Sequence, residues 1–110
     1  RVVVIGAGGG IGRALADEAE VRGAKVIRLS RPAVDAGDEA GIAAAAEASG
    51  EGLSHVIVAS GLLHRDGVGP ERDWRQLSAD WMLESFRVNA VLPALVAKHF
   101  LPRLRRDAPS

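Results

Sequence analysis

The sequence predicts an α/β fold, an open parallel sheet with helices on both faces. Three observations predict it. Arg1-Val2-Val3-Val4-Ile5 is a continuous apolar run ending at glycine, the pattern of a strand buried on both faces. Ile11, Leu15 and Ala19 recur four apart through residues 11–22, which reads as one apolar helix face, and Gly23 stops the helix. Ala24 to Ser30 then returns to an apolar run with Val26, Ile27 and Leu29. Strand, helix and strand within about 30 residues make a βαβ unit.

Between the first strand and the helix stands Gly6-Ala7-Gly8-Gly9-Gly10-Ile11-Gly12. A strand feeding a helix through glycines is a phosphate site. The helix N-terminus offers N–H groups and a positive dipole end, and the missing β-carbons let a pyrophosphate approach the backbone. The pattern G-x-G-x-x-G from Gly6 fails, because residue 11 is Ile11. Gly6, Gly10 and Gly12 fit G-x-x-x-G-x-G, and Gly6, Gly9 and Gly12 fit G-x-x-G-x-x-G; both stay open. A flexible linker is the other reading of so many glycines, but linkers are not flanked by a buried strand and a periodic helix.

The bulk numbers exclude several classes. The chain has 110 residues, the length of one domain. Lys and Arg number 14, as do Asp and Glu, so no bulk charge holds a nucleic acid or an anionic membrane. With no cysteine there is neither a disulfide framework nor a thiolate metal site, and no metal ligands are assigned. No apolar run reaches the roughly 18 residues of a membrane span, and no leader precedes the first strand, so the expectation is a cytoplasmic protein. The chain opens with Arg1 directly on a strand and contains no Tyr. These two features read as residues 1–110 forming the N-terminal part of a longer dinucleotide-binding domain.

The end of the second strand decides sugar selectivity. An NAD site places Asp or Glu there for the ribose 2′-hydroxyl. Ser30 and Arg31 stand there instead, and a guanidinium clamps a 2′-phosphate, so NADP is the expected cofactor, with NAD as the alternative. Ala33-Val34-Asp35 reads as a short third strand. Asp38 caps a helix over 39–49, ended by Gly50 and Gly52. A fourth strand runs near 54–59 and closes in the small-residue turn Ala59-Ser60-Gly61; His55 at its start reads as a surface residue. The predicted order is 3-2-1-4, with the cofactor crevice between strands 1 and 4. Residues 62–77 read as a long polar loop; His64 and Asp66 in it are a weak acid/base pair, and Trp74 an interface or substrate-lid residue. Ser78 and Asp80 cap a last helix over 81–104, which Pro93 should kink. Its apolar set is wider than one stripe, enough for the sheet and a partner helix.

The glycine loop together with Phe86-Arg87-Val88-Asn89-Ala90-Val91-Leu92-Pro93 resembles the short-chain dehydrogenase/reductase family, with its Rossmann-type sheet. G-x-x-x-G-x-G resembles the compact single-domain branch and G-x-x-G-x-x-G the extended, epimerase-like branch; the Asn89 segment favours the compact one. The run from Ser60-Gly61-Leu62-Leu63-His64 through Val96-Ala97-Lys98-His99-Phe100-Leu101-Pro102 resembles the C-factor-like subgroup, named for a bacterial cell–cell signalling protein. The resemblance covers nearly the whole chain. It implies that Gly6, Gly8, Gly10, Ile11, Gly12, Ser30, Arg31, Asp35, Ala59, Ser60 and Gly61 bind the cofactor, with Asp35 beside the adenine. It implies that Asn89 is the Asn of an Asn-Ser-Tyr-Lys catalytic tetrad, holding a water of the proton relay. Ser60 departs from the family's Asn or Ala, and Leu92 replaces the usual glycine. The family's Tyr and its Lys four residues on are absent: Lys25 and Lys98 are the only lysines.

The implied function is an NADP-preferring oxidoreductase passing hydride between nicotinamide and a small-molecule carbonyl or alcohol, homo-oligomeric in its full-length parent. A non-catalytic dinucleotide-binding sensor and an interaction module built on the last helix are the alternatives.

Overall fold

The computed structural model describes residues 1–61 and 73–106. Three short strands, β1 (Val2–Ile5), β2 (Val26–Leu29) and β3 (His55–Val58), form one parallel sheet in the order β2-β1-β3. Val3 sits opposite Ile27 on one side and Val56 on the other. All four β1 residues are buried, as the continuous apolar run requires of a central parallel strand. His55 is exposed, as read from the sequence.

Helix α1 (Gly10–Val21) covers one face of the sheet. Its packing corrects the sequence reading. Gly12 and Ala16 face the sheet, whereas Ile11 is 74% exposed and Leu15 41%. The cause is the glycine loop: Gly12 lies so close to the Gly6 carbonyl that the helix settles on its smallest side chains, and Ala16 joins Val2, Val4 and Ala7 in a small core. The chain leaves α1 through Gly23, whose φ of 92° is one that residues with a β-carbon rarely adopt.

Helix α2 (Glu39–Ser49) and helix α4 (Leu92–Phe100) cover the other face. Asp38 caps α2 as expected, its carboxylate accepting from the Gly41 N–H at 3.0 Å. Ile42, Ala46, Val96 and Phe100 bury themselves against Val3, Ile5 and Leu53. This second core is the larger and contains the bulkiest fully buried side chain, Phe100.

Two further expectations are corrected. No strand forms at 33–35. The Val34 N–H bonds the Ser30 carbonyl at 3.2 Å, and the Asp35 side chain accepts from the Gly37 N–H at 2.8 Å, so the segment is a chain of turns with no ladder partner. Val34 is buried nonetheless, plugged into the larger core. The expected helix over 81–104 is divided. Helix α3 (Ala79–Phe86) starts at Ser78, whose hydroxyl accepts from the Trp81 N–H, and passes into a π-helical turn, Arg87–Val91, before α4. There the Leu92 N–H reaches back five residues to the Arg87 carbonyl. Pro93, the second residue of α4, has no N–H for the Asn89 carbonyl, and the widened turn lies just ahead of it. A 3₁₀ turn, Leu101–Arg103, then brings Leu104 beside Leu53 in an isolated parallel bridge.

Candidate dinucleotide site

The site is built where β1 ends. The Gly6 N–H bonds the Leu29 carbonyl at 2.8 Å, and the Ala59 N–H bonds the Ile5 carbonyl at 2.8 Å, so the ends of all three strands are tied to the loop. Gly6 takes φ 87° and presses its backbone on the β3 turn: a β-carbon there would lie 2.8 Å from the Ser60 nitrogen. A β-carbon on Gly12 would overlap the Gly6 carbonyl. These two glycines are the obligatory ones, and they are common to both spacings read from the sequence. A β-carbon on Gly10 would meet nothing, and one on Gly9 only the Gly6 oxygen at 3.7 Å.

Gly9 caps α1 with no side-chain hydrogen bond, and the first turn of α1 carries no acidic residue. The N–H groups of that turn have no acceptor within the helix. They and the helix dipole make a seat for an anion.

A cavity of about 550 Å³ opens above the loop. Of the residues singled out in the sequence, Gly6, Gly8, Ser30, Arg31, Asp35, Ala59, Ser60 and Gly61 line it. Gly10 and Ile11 stand outside that lining, in the first turn of α1, and Gly12 lies beneath the loop. Asn89 also stands outside it but borders it: a β-carbon on Gly61 would lie 3.6 Å from Asn89 Oδ1. The Asn89 amide donates to Ser85 Oγ at 3.2 Å, one turn back. His64 and Asp66 lie outside the described residues; Trp74 is exposed, with the Arg75 guanidinium over its ring.

The charge around Arg31 differs from the sequence reading. Asp35, which comes close through the 31–38 turns, places Oδ2 3.4 Å from Arg31 Nε, so the cation has a carboxylate neighbour after all. The pair is open to solvent and weak.

Sequence reasoning missed the far wall of the cavity. Glu84, Arg87, Val88 and Leu92 form it. The signal was present: Glu84, Val88 and Leu92 follow one another four apart, next to the singled-out Asn89. What concealed it was the assignment of that face to the sheet and to a partner helix.

The residues present fit a dinucleotide. An uncapped helix start meets a cradle of backbone that only glycine permits. Inside it the Ser60 hydroxyl is buried and has no hydrogen-bond partner among the described residues, although buried hydroxyls are normally bonded.

An open parallel α/β sheet whose glycine loop meets a crevice at the strand ends is the Rossmann-type arrangement. Solved structures carry the same fold. A small-chain dehydrogenase and a small-chain dehydrogenase in complex with NADPH each superpose with a TM-score of 0.80 at 26% identity over 96% of this chain. A carbonyl reductase from Pseudomonas aeruginosa PAO1 superposes with a TM-score of 0.77 at 22% identity, again over 96% of this chain. These neighbours are short-chain dehydrogenases/reductases. The chain spans about half the length of these proteins: 48% and 46% of the two small-chain dehydrogenases and 57% of the carbonyl reductase. No family model and no curated protein matches the sequence. Among the described residues no helix is long and apolar enough to cross a membrane.

Proposed function

We propose that this chain is the cofactor-binding portion of a cytoplasmic, NADP-preferring short-chain dehydrogenase/reductase of the compact, C-factor-like type. The observation that carries this reading is the Gly6–Ser60 approach beside an uncapped helix start, because only a glycine at position 6 lets the loop and the residues after β3 close up at the crevice while the first-turn N–H groups of α1 stay open to an anion.

The roles divide by position. The first turn of α1, from Gly10 to Gly12, takes the pyrophosphate on its N–H groups, and Gly8 leaves the approach clear. Ser30 and Arg31 take the adenosine ribose and its 2′-phosphate, and Asp35 borders the adenine. Ala59, Ser60 and Gly61 form the opposite side of the crevice, where the Ser60 hydroxyl supplies a donor or acceptor. A bound nicotinamide supplies the hydride chemistry. Asn89, held by Ser85, sits where it would fix a water of a proton relay. The Tyr and Lys that complete such a relay in the family are not encoded in these residues, so catalysis belongs to a longer parent acting on a small carbonyl or alcohol, and homo-oligomeric there.

Titration of the chain with NADP and NAD, followed by calorimetry, tests the reading. NADP binds more tightly, and Arg31→Asp reverses the order. Absence of binding to either dinucleotide overturns the reading of residues 1–110 as a site that binds on its own, and the same titration then falls to the longer parent. The second reading is a dinucleotide-binding module without catalysis; a parent whose sequence continues without a Tyr-x-x-x-Lys pair decides for it.

A further inference from the structure

The proposed site uses Asp35 only as a border of the adenine, yet its two carboxylate oxygens have separate partners. Oδ1 accepts from the Gly37 N–H at 2.8 Å and closes the turn. Oδ2 lies 3.4 Å from Arg31 Nε. The carboxylate is the fixed member of this pair. The Asp35 carbonyl accepts from the Asp38 N–H at 3.0 Å, and the preceding residue, Val34, is fully packed into the larger core. Arg31 is the movable member: its side chain is 64% exposed, against 36% for Asp35, and it stands on a long, flexible stem.

Both residues line the cavity. A 2′-phosphate drawn to Arg31 therefore meets a carboxylate that the turn holds beside the same guanidinium. The two charges are much closer together than a screening length of about 8 Å, so their fields reach the ligand together. Repulsion by the anion offsets part of the attraction by the cation. A ribose with a free 2′-hydroxyl brings no charge and feels neither, and Asp35 then keeps the Arg31 charge matched. We propose that Asp35 is a specificity-determining residue acting through Arg31: its carboxylate reduces the preference for a dinucleotide with a phosphate monoester on the adenosine ribose, and so keeps the phosphate-free dinucleotide within the range of the same site. The proposal rests on the dinucleotide reading above and deepens it, since it sets how strongly the site discriminates rather than whether it binds.

The experiment titrates wild-type chain, Asp35→Asn, Asp35→Ala and Asp38→Asn with NADP and NAD at two salt concentrations, and with 2′-AMP and 5′-AMP as fragments. The readout is the ratio of NADP to NAD affinity. A loosened turn or a lost adenine contact weakens both ligands alike and leaves that ratio where it was. Asp35→Asn keeps an oxygen for the Gly37 N–H and removes the charge, and the ratio rises about threefold to fivefold, a modest gain because the pair is exposed. Among the fragments 2′-AMP gains and 5′-AMP does not, and the salt dependence of NADP binding steepens. Asp35→Ala also loses the Gly37 bond, so both dinucleotides bind more weakly, with the same rise in the ratio. Asp38→Asn removes an equal charge from the same loop, keeps the cap of α2, and leaves the ratio unchanged. An unchanged or lower ratio in Asp35→Asn overturns the proposal. An equal rise in Asp38→Asn does so too, because it assigns the effect to net charge rather than to the contact with Arg31. Wild-type chain that binds neither dinucleotide defeats the reading of residues 1–110 as a site that binds on its own, and this proposal with it; that outcome is distinct because no variant is needed to see it.

Discussion

Gly6 and Ser60, which lie 54 residues apart in the chain, meet backbone to backbone at the end of the central strand: a β-carbon on Gly6 would lie 2.8 Å from the Ser60 nitrogen. The phosphate loop and the β3 turn are thus one object. What perturbs either residue perturbs the other wall of the crevice.

The glycines of the loop are accordingly unequal. Gly6→Ala combines a positive φ with a backbone collision, and Gly12→Ala forces α1 away from Gly6. Each destabilises the chain by about 1–3 kcal/mol. Gly10→Ala meets open space in the first turn of a helix and is neutral or stabilising by no more than about 1 kcal/mol. Thermal melts of the three variants check the ranking, which disappears if the loop is a loose linker.

Ser60 separates stability from binding. Its buried hydroxyl has no partner among the described residues, so Ser60→Ala leaves the melting temperature of the free chain unchanged or raises it, by up to about 1 kcal/mol of stability. The same substitution weakens dinucleotide binding. Paired melts and titrations read both. A loss of stability without a loss of affinity contradicts a ligand-facing role.

Phe100 anchors α4 to the sheet. It is fully buried among Val3, Leu53 and Val96 in the larger core. Phe100→Ala opens a cavity costing about 3–5 kcal/mol, much of the total stability of a domain this small. Urea unfolding shows the midpoint falling with the slope little changed.

Among the described residues Glu39 carries the one carboxylate shift. Hydrogen bonds from Lys98 (2.6 Å) and His99 (2.8 Å) hold its carboxyl below the usual carboxylate range. A folded-state pKa below the unfolded one gives stability that is present above the ordinary value, about 4.3, and is lost as pH falls through the folded value. Glu39→Gln therefore flattens the acid limb of a stability-against-pH curve and leaves its slope above neutrality unchanged. The group is exposed, so the effect is small.

How much of this was legible beforehand follows from the kind of information each feature needs. The β1 run, the βαβ unit, the Asp38 and Ser78 caps and the small residues at 59–61 where Gly6 packs rest on local chemistry: apolar continuity, side-chain oxygens at helix starts, and small residues where chains must approach. Local chemistry is written in the order of residues, and there the readings from sequence and structure coincide.

The features that differed depend on neighbours distant in the chain. Periodicity alone placed Ile11 and Leu15 on the buried face of α1, but the contact between Gly12 and Gly6 turned that helix onto Gly12 and Ala16. The sequence reading placed a strand at 33–35, but turns anchored by Ser30 and Asp35 took the segment instead while the core kept Val34. Asn89 drew attention to its helix, yet only the π turn and the packing of α4 on the sheet brought Arg87 and Val88 to the crevice. By itself the sequence determined that a strand, a glycine loop and a helix start would make an anion seat, because that chemistry lies in seven consecutive residues. The tertiary structure decided which two glycines are indispensable, which helix face is buried and what stands across the cavity, because each of these is a distance between residues that the chain keeps far apart.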